Sequence, residues 1–292
     1  NVNRFLNFGL IYDIVYNIGQ YNLQKAIDKN FLLHGSYNGH SYNAYFSAGI
    51  NNHVSEESGG MVSADDLGQY NPEGVPFILN ELNSARSTLN NRYVMLVQRF
   101  APGGKRDTVT GEVLRNGPVT FSHIGLLEWN IRKYNDNYPG SELYDTVMID
   151  NTVTADSLHQ RTLSNTLRVD FAAGRTDRFR IGAGAGIRSE LRSFSQLMPG
   201  DTLTRPDTLN RHMNSLVLTG KVFNNIGSKF GWNVSGDLWF QGYRAGDFIV
   251  DGRIYKEFDL QKLGMITWDA TGTIASYTPS FWYSDWSSNN FA

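Results

Sequence analysis

Phe179-Arg180-Ile181-Gly182-Ala183-Gly184-Ala185-Gly186-Ile187-Arg188-Ser189-Glu190-Leu191-Arg192 alternates between two kinds of residue. Phe179, Ile181, Ala183, Ala185, Ile187 and Leu191 form one set; Arg180, Gly182, Gly184, Gly186, Arg188, Glu190 and Arg192 form the other, with Ser189 the one interruption. A period of two sends the sets to opposite faces of a sheet. The run is more than twice the usual five- to six-residue strand, and suits a tilted strand crossing a bilayer. An Arg turned toward lipid near the midplane costs about 2–4 kcal/mol, so the Arg set, extended by Arg178, faces inward or sits at a rim.

The same pattern recurs on either side. Leu6, Phe8, Leu10, Tyr12, Ile14 and Tyr16 alternate with Asn7, Gly9, Asp13 and Asn17; Tyr42, Ala44, Phe46, Ala48 and Ile50 alternate with Ser41, Asn43, Ser47 and Asn51. Leu163, Leu167, Val169 and Phe171 stand against Thr162, Ser164, Thr166, Arg168 and Asp170, and Phe230, Trp232, Val234, Leu238 and Phe240 against Asn233, Ser235, Asp237 and Gln241. Weaker alternation marks 92–100, 119–134, 213–223 and 263–277. Asn38-Gly39 predicts a type I′ hairpin between strand 31–37 and the strand from Tyr42. Short links at 38–39, 173–177 and 224–228 fall among long ones at 55–90, 102–118, 135–159 and 193–212. That arrangement predicts an all-β, antiparallel transmembrane β-barrel with short periplasmic turns and long outer loops, since hydrocarbon tolerates no unpaired sheet edge. A soluble β-sandwich, the rival fold, would need shorter strands and no detergent.

Composition agrees. Among 292 residues, charged side chains are 18%, aromatics 13% and Gly 29 residues, with 8 Pro and a formal net charge of −2. Near-neutrality leaves no basic field for nucleic acid, and the absence of Cys excludes disulfides, thiol nucleophiles and Cys-based zinc sites. Mean hydropathy is −0.37, and no stretch supplies the run of about 20 apolar residues that a membrane helix needs.

Several short segments resemble the putative porin family of Bacteroidetes, a set of outer-membrane β-barrels. They are Tyr16-Asn17-Ile18-Gly19-Gln20-Tyr21, Glu57-Ser58-Gly59-Gly60-Met61, Asn91-Arg92-Tyr93-Val94 with Gln98-Arg99-Phe100-Ala101-Pro102-Gly103, Gly242-Tyr243-Arg244-Ala245-Gly246-Asp247-Phe248, and Pro279-Ser280-Phe281-Trp282-Tyr283 with Ser288-Asn289-Asn290-Phe291. The resemblance implies a bacterial outer-membrane location and a barrel architecture, and carries no catalytic residue. Residues 1–292 are expected to be one barrel domain, incomplete, with further strands beyond it.

The chemistry-bearing motifs are weak beside this pattern. Gly182-Ala183-Gly184-Ala185-Gly186 lacks the strand-to-helix turn of a dinucleotide loop, and glycines on one strand face make room for neighbouring side chains. His34, His40 and His53 have no metal-ligand spacing; Asp65-Asp66 and the acidic residues at 145–150 do not space as a calcium loop; no Gly-x-Ser-x-Gly elbow is present. No enzyme and no cofactor are implied. The expected lining residues are Glu128, Arg132, Arg168, Asp170, Arg178, Arg180, Arg188, Glu190, Arg192 and Asp237. Four Arg against one Glu on a single strand face suggest a positive ladder that favours anions. Opposed charges on other strands would either set a field across the pore or pair and fill it. The function expected is passive diffusion of small hydrophilic solutes, with outer-membrane lipid as surroundings, no nucleic acid, and assembly as a homo-oligomer or within a larger membrane complex. The rival is a closed barrel acting as a scaffold subunit.

Overall fold

The structure, a computed structural model, describes residues 5–19, 23–59, 84–103, 105–106, 113–115, 118–137, 147–148, 150, 152–173, 181–198, 207–226, 230–260, 264–279 and 281. Its strands are β1 (Leu6–Asn17), β2 (Ala26–Asn38), β3 (Tyr42–Glu56), β4 (Arg86–Phe100), β5 (Lys105–Arg106), β6 (Val113–Arg115), β7 (Val119–Asp136), β8 (Thr154–Ala173), β9 (Ile181–Met198), β10 (Asp207–Ile226), β11 (Phe230–Gly242), β12 (Phe248–Leu260) and β13 (Gly264–Ser276). Eleven of them form one sheet in the order β1-β2-β3-β4-β7-β8-β9-β10-β11-β12-β13, while β5 and β6 make a separate hairpin. Every pairing is antiparallel. This is the sheet of a β-barrel wall, with β1 and β13 each bonded to one neighbour among the described residues. No described helix is long and apolar enough to cross a membrane.

Register sorts the two sets of side chains. One unbroken row runs Leu10, Leu33, Ala48, Val94, Leu127, Leu163, Leu191 across seven strands. A second joins Leu167, Ile187, Leu218, Leu238 and Phe248. These faces look outward: Leu167 is 59% exposed and Leu218 52%. Their neighbours in sequence do the opposite, with Thr166, Glu190, Val217 and Thr219 all buried. A single layer with one shielded face and one bare face is a curled sheet whose polar residues lie on the inside. In water this would expose a very large apolar patch; against hydrocarbon it is the stable arrangement.

Three features differ from the sequence reading. Asn38-Gly39 does join β2 to β3, but neither residue has positive φ, so the turn is not type I′. Gly39 is needed for space: a Cβ there would lie 2.9 Å from the Tyr42 carbonyl and 3.0 Å from the Tyr37 ring. Secondly, Phe248–Leu260 is a strand, although Phe248, Ile249 and Val250 are all apolar and hide its alternation. Thirdly, strand parity puts the long 101–118 connection on the rim that carries the short links at 39–41 and 227–229, with the β5–β6 hairpin inside it. The links at 57–85, 137–153 and 199–206 share the other rim.

Leu167→Arg should cost about 2–4 kcal/mol of folding stability in lipid vesicles, as expected for a guanidinium in the apolar belt, while Leu167→Val should cost under about 1.5 kcal/mol. Urea titration read by heat-modifiability on gels would measure both.

Candidate pore lining

The inward face of β8, β9 and β11 carries two sets of ion pairs. Arg188 donates from Nε to Glu190 at 2.8 Å and from Nη1 to Asp237 on β11 at 2.9 Å. Arg192 donates to the second Glu190 oxygen at 3.0 Å, and the Trp239 indole N–H approaches that oxygen at 3.4 Å. Glu190 is 6% exposed and holds the centre. Strand alternation puts Arg188, Glu190 and Arg192 on one face, and two strands of register bring Asp237 within reach of Arg188. Arg168 and Asp170 on β8 form a second pair at 2.8 Å.

The glycines of β9 make this packing possible. A Cβ at Gly184 would fall 1.9 Å from Asp170 Oδ1, and one at Gly182 would strike the Phe223 ring at 2.1 Å. They are the floor on which Asp170, Arg168 and Phe223 lie, so the Gly-Ala-Gly-Ala-Gly run serves packing within the lining.

Toward β1 the lining changes character. Asp13, Asn30, Asn51, Asn91, Asn130 and Gln160 stand in one row across six strands. Asn51 donates to Asn91 at 3.1 Å, and Asn91 donates to Asn130 at 2.6 Å and to Glu128 at 2.8 Å. Asp28 and His53 pair at 2.6 Å one row away. Amides are therefore concentrated toward β1, with Asp13, Asp28 and Glu128 among them, a grouping invisible without the register.

Among the expected lining residues, Arg188, Glu190, Arg192 and Asp237 come together in one network, and Arg168 and Asp170 in a second. Glu128 and Arg132 share the inward face of β7, Glu128 in register with Thr162 and Arg192, and Arg132 with Leu158 and Gln196. Arg178 and Arg180 lie outside the described residues. The expected positive ladder needs correction at Arg188 and Arg192, since Glu190 and Asp237 compensate both.

Sequence reading missed a latch at the rim. Gly242 and Gly246 have φ of 99° and 98°, and a Cβ at Gly242 would lie 2.0 Å from the Asn214 carbonyl. The turn they permit places Arg244 4.0 Å above the Trp239 ring and 2.6 Å from Asp247. Asp247 also accepts from the Thr278 N–H at 2.8 Å and hydroxyl at 2.9 Å, tying down the chain after β13. Beyond it Phe281, 3% exposed, packs on Phe194 with ring centroids 4.6 Å apart. Trp239 faces inward between exposed Leu238 and Phe240 by plain alternation, and the ladder to β10 shifts just after it, where Gln241 pairs with Leu216. Three apolar residues in succession were the visible signal. Among the described residues no three His, Asp or Glu side chains gather as a metal site.

An antiparallel sheet with an apolar outside and a hydrogen-bonded, charged inside defines a wall of the outer-membrane β-barrel class. A family model described as "Putative porin" matches residues 1–292, and the chain belongs to that family. Membership implies a channel in the outer membrane of a bacterium. No curated protein matches the sequence.

Glu190→Gln removes the one charge that both Arg188 and Arg192 share. It should destabilise the fold by about 3 kcal/mol, in the range for breaking a buried pair, measurable by urea titration. Asp247 titrates in the turn: burial raises its pKa, but bonds from Thr278 and Arg244 outweigh this and hold it below the ordinary Asp value. A depressed folded pKa gives stability that is complete above the unfolded value of about 3.9 and is lost as pH falls through the folded one. Thermal melts on acidification below about pH 4 should therefore fall more steeply for wild type than for Asp247→Asn.

Proposed function

We propose that the chain forms a channel that admits small hydrophilic solutes across the outer membrane by passive diffusion. The observation that carries this reading is the inversion of the sheet, with Thr166, Glu190 and Thr219 buried on one face and Leu167, Ile187 and Leu218 bare on the other. A face lined by Asn, Thr, Arg and Glu is wettable, and it offers many weak hydrogen bonds with no deep trap. Compensation of Arg188 and Arg192 argues for modest ion preference from this part of the lining; Arg178 and Arg180 retain their proposed lining role. Outer-membrane lipid surrounds the wall, and assembly as a homo-oligomer or within a larger complex belongs to the same proposal.

A second reading has an observation of its own. The Arg188–Glu190–Arg192–Asp237 network and the Phe194–Phe281 pair occupy the inward side, and a lumen filled in this way would make the barrel a scaffold subunit. Planar-bilayer recording of the full-length protein separates the two. Discrete steps that scale with salt concentration, enlarged by Phe281→Ala, are expected for the channel. Silence from both proteins, with folding verified, would favour the scaffold.

A further inference from the structure

The outward face is not uniformly apolar. One step beyond the row of Val94, Leu127, Leu163 and Leu191, toward the rim of the 57–85 and 137–153 connections, stands a row of Arg92, Trp129, Arg161, Ser193 and His212. From β1 to β8, the charged residues of this row and the next two toward that rim are Arg92, Arg161, Lys29 and Lys133. No Asp or Glu occupies any of these positions, although the inward face at the same height carries Asp13, Asp28 and Glu128. Within these three rows the charge on the outward face is all basic.

Height supports the same conclusion. Phe171 to Arg161 is ten residues along β8. At about 3.3 Å per residue and a tilt near 40°, that is roughly 25 Å along the membrane normal, the height of a barrel's apolar band. Tyr42, Phe100, Phe121 and Phe171 mark one interface with aromatic rings, so Arg92 and Arg161 stand at the other. A groove of about 560 Å³ opens there, walled by Leu127, Leu163 and Leu191 below and by Arg161, Ser193 and His212 above. Arg92, Arg161 and His212 are exposed, and Arg92 is steered by a bond from Nε to Asn90 at 3.0 Å.

We propose that this groove binds a membrane lipid with a phosphate-bearing anionic headgroup, its acyl chain on the Leu127–Leu163–Leu191 row and its phosphate between Arg161 and His212, with Arg92 and Lys133 adding to the basic field beside it. Apolar wall and basic rim meet at the depth where chain and headgroup of one lipid meet, and among the described residues no acid stands in these three rows to repel the phosphate. The inference rests on the outward face meeting lipid. It does not depend on solute passage, so its failure would leave the channel reading standing.

The test titrates the full chain, in detergent, with dioleoylphosphatidylglycerol, dioleoylphosphatidylcholine or inorganic phosphate, counting bound lipid by native mass spectrometry and following thermal unfolding. Phosphatidylglycerol should bind roughly ten-fold more tightly than phosphatidylcholine, given a few-fold per basic group. Its advantage should shrink in high salt. The triple variant Arg92→Gln, Lys133→Gln, Arg161→Gln should abolish the preference, and Arg92→Lys with Arg161→Lys should keep most of it. Should the triple variant not fold, Arg161→Gln alone must lower the preference a few-fold. Equal binding of the two lipids, or a preference that survives the Gln variants, overturns the proposal. A thermal shift from inorganic phosphate as large as that from the lipid would make this a site for soluble anions, and self-association abolished by Arg161→Gln with lipid binding unchanged would assign the groove to a second copy; either result also overturns it.

Discussion

Hydrocarbon offers no hydrogen-bond partner to a peptide group, and each unpaired one costs several kcal/mol. Everything else in this structure follows from that constraint. The chain meets it by pairing long strands side by side, with ladders as extensive as the eighteen register pairs between β9 and β10. A one-residue slip in any ladder would turn Leu191 and Ile187 inward and Arg188 and Glu190 into lipid. Hydrophobic patterning therefore fixes register more strictly here than in a soluble sheet, where both faces of an edge region meet water.

Placing polar groups inside creates the second requirement, that they satisfy one another. Arg188, Arg192 and Glu190 lie on a shielded face where an unpaired charge would be expensive. Their mutual bonds, and the reach to Asp237, lower that cost while adding cross-links between β9 and β11. The amide row from Asn30 to Asn130 does the same work without charge, at neutral hydrogen bonds of about 1 kcal/mol each. One wall thus presents two surfaces to its interior, one tied mainly by ion pairs and one mainly by amides.

The fold was legible in the sequence where strands cross the apolar belt and illegible where they leave it. β8 shows alternation from Thr162 to Phe171, yet begins at Thr154, because beyond the belt its outward positions are no longer held to apolar residues, as Ala155, Ser157 and His159 show. β12 was hidden by Ile249 and Tyr255 on its inward face, positions where the lining accepts apolar residues as readily as polar ones. Of the lining, facing was readable and pairing was not. Alternation assigns Arg188 to a face; only the register across β10 places it beside Asp237. The polar contacts on the outward face, such as Gln98 with His123 at 3.2 Å, were also obscured, since they interrupt the belt at isolated positions and satisfy each other locally.

The most distinctive of the sequence signatures, Gly242 to Phe248, is explained by the latch rather than by contact with a solute. Two glycines with positive φ allow a turn that delivers Arg244 to Trp239 and Asp247, and Asp247 in turn binds Thr278. Trp239 also touches the Glu190 network through its N–H and lies 5.2 Å from the Arg188 guanidinium. The turn at the rim, the charged lining and the segment bearing Phe281 are therefore one connected set of contacts. A substitution at the rim reaches the lining through Trp239 without needing any change in the strands. Trp239 is the shared member: its N–H approaches the Glu190 that balances Arg188, and its ring carries the Arg244 whose partner Asp247 binds Thr278 ahead of Phe281.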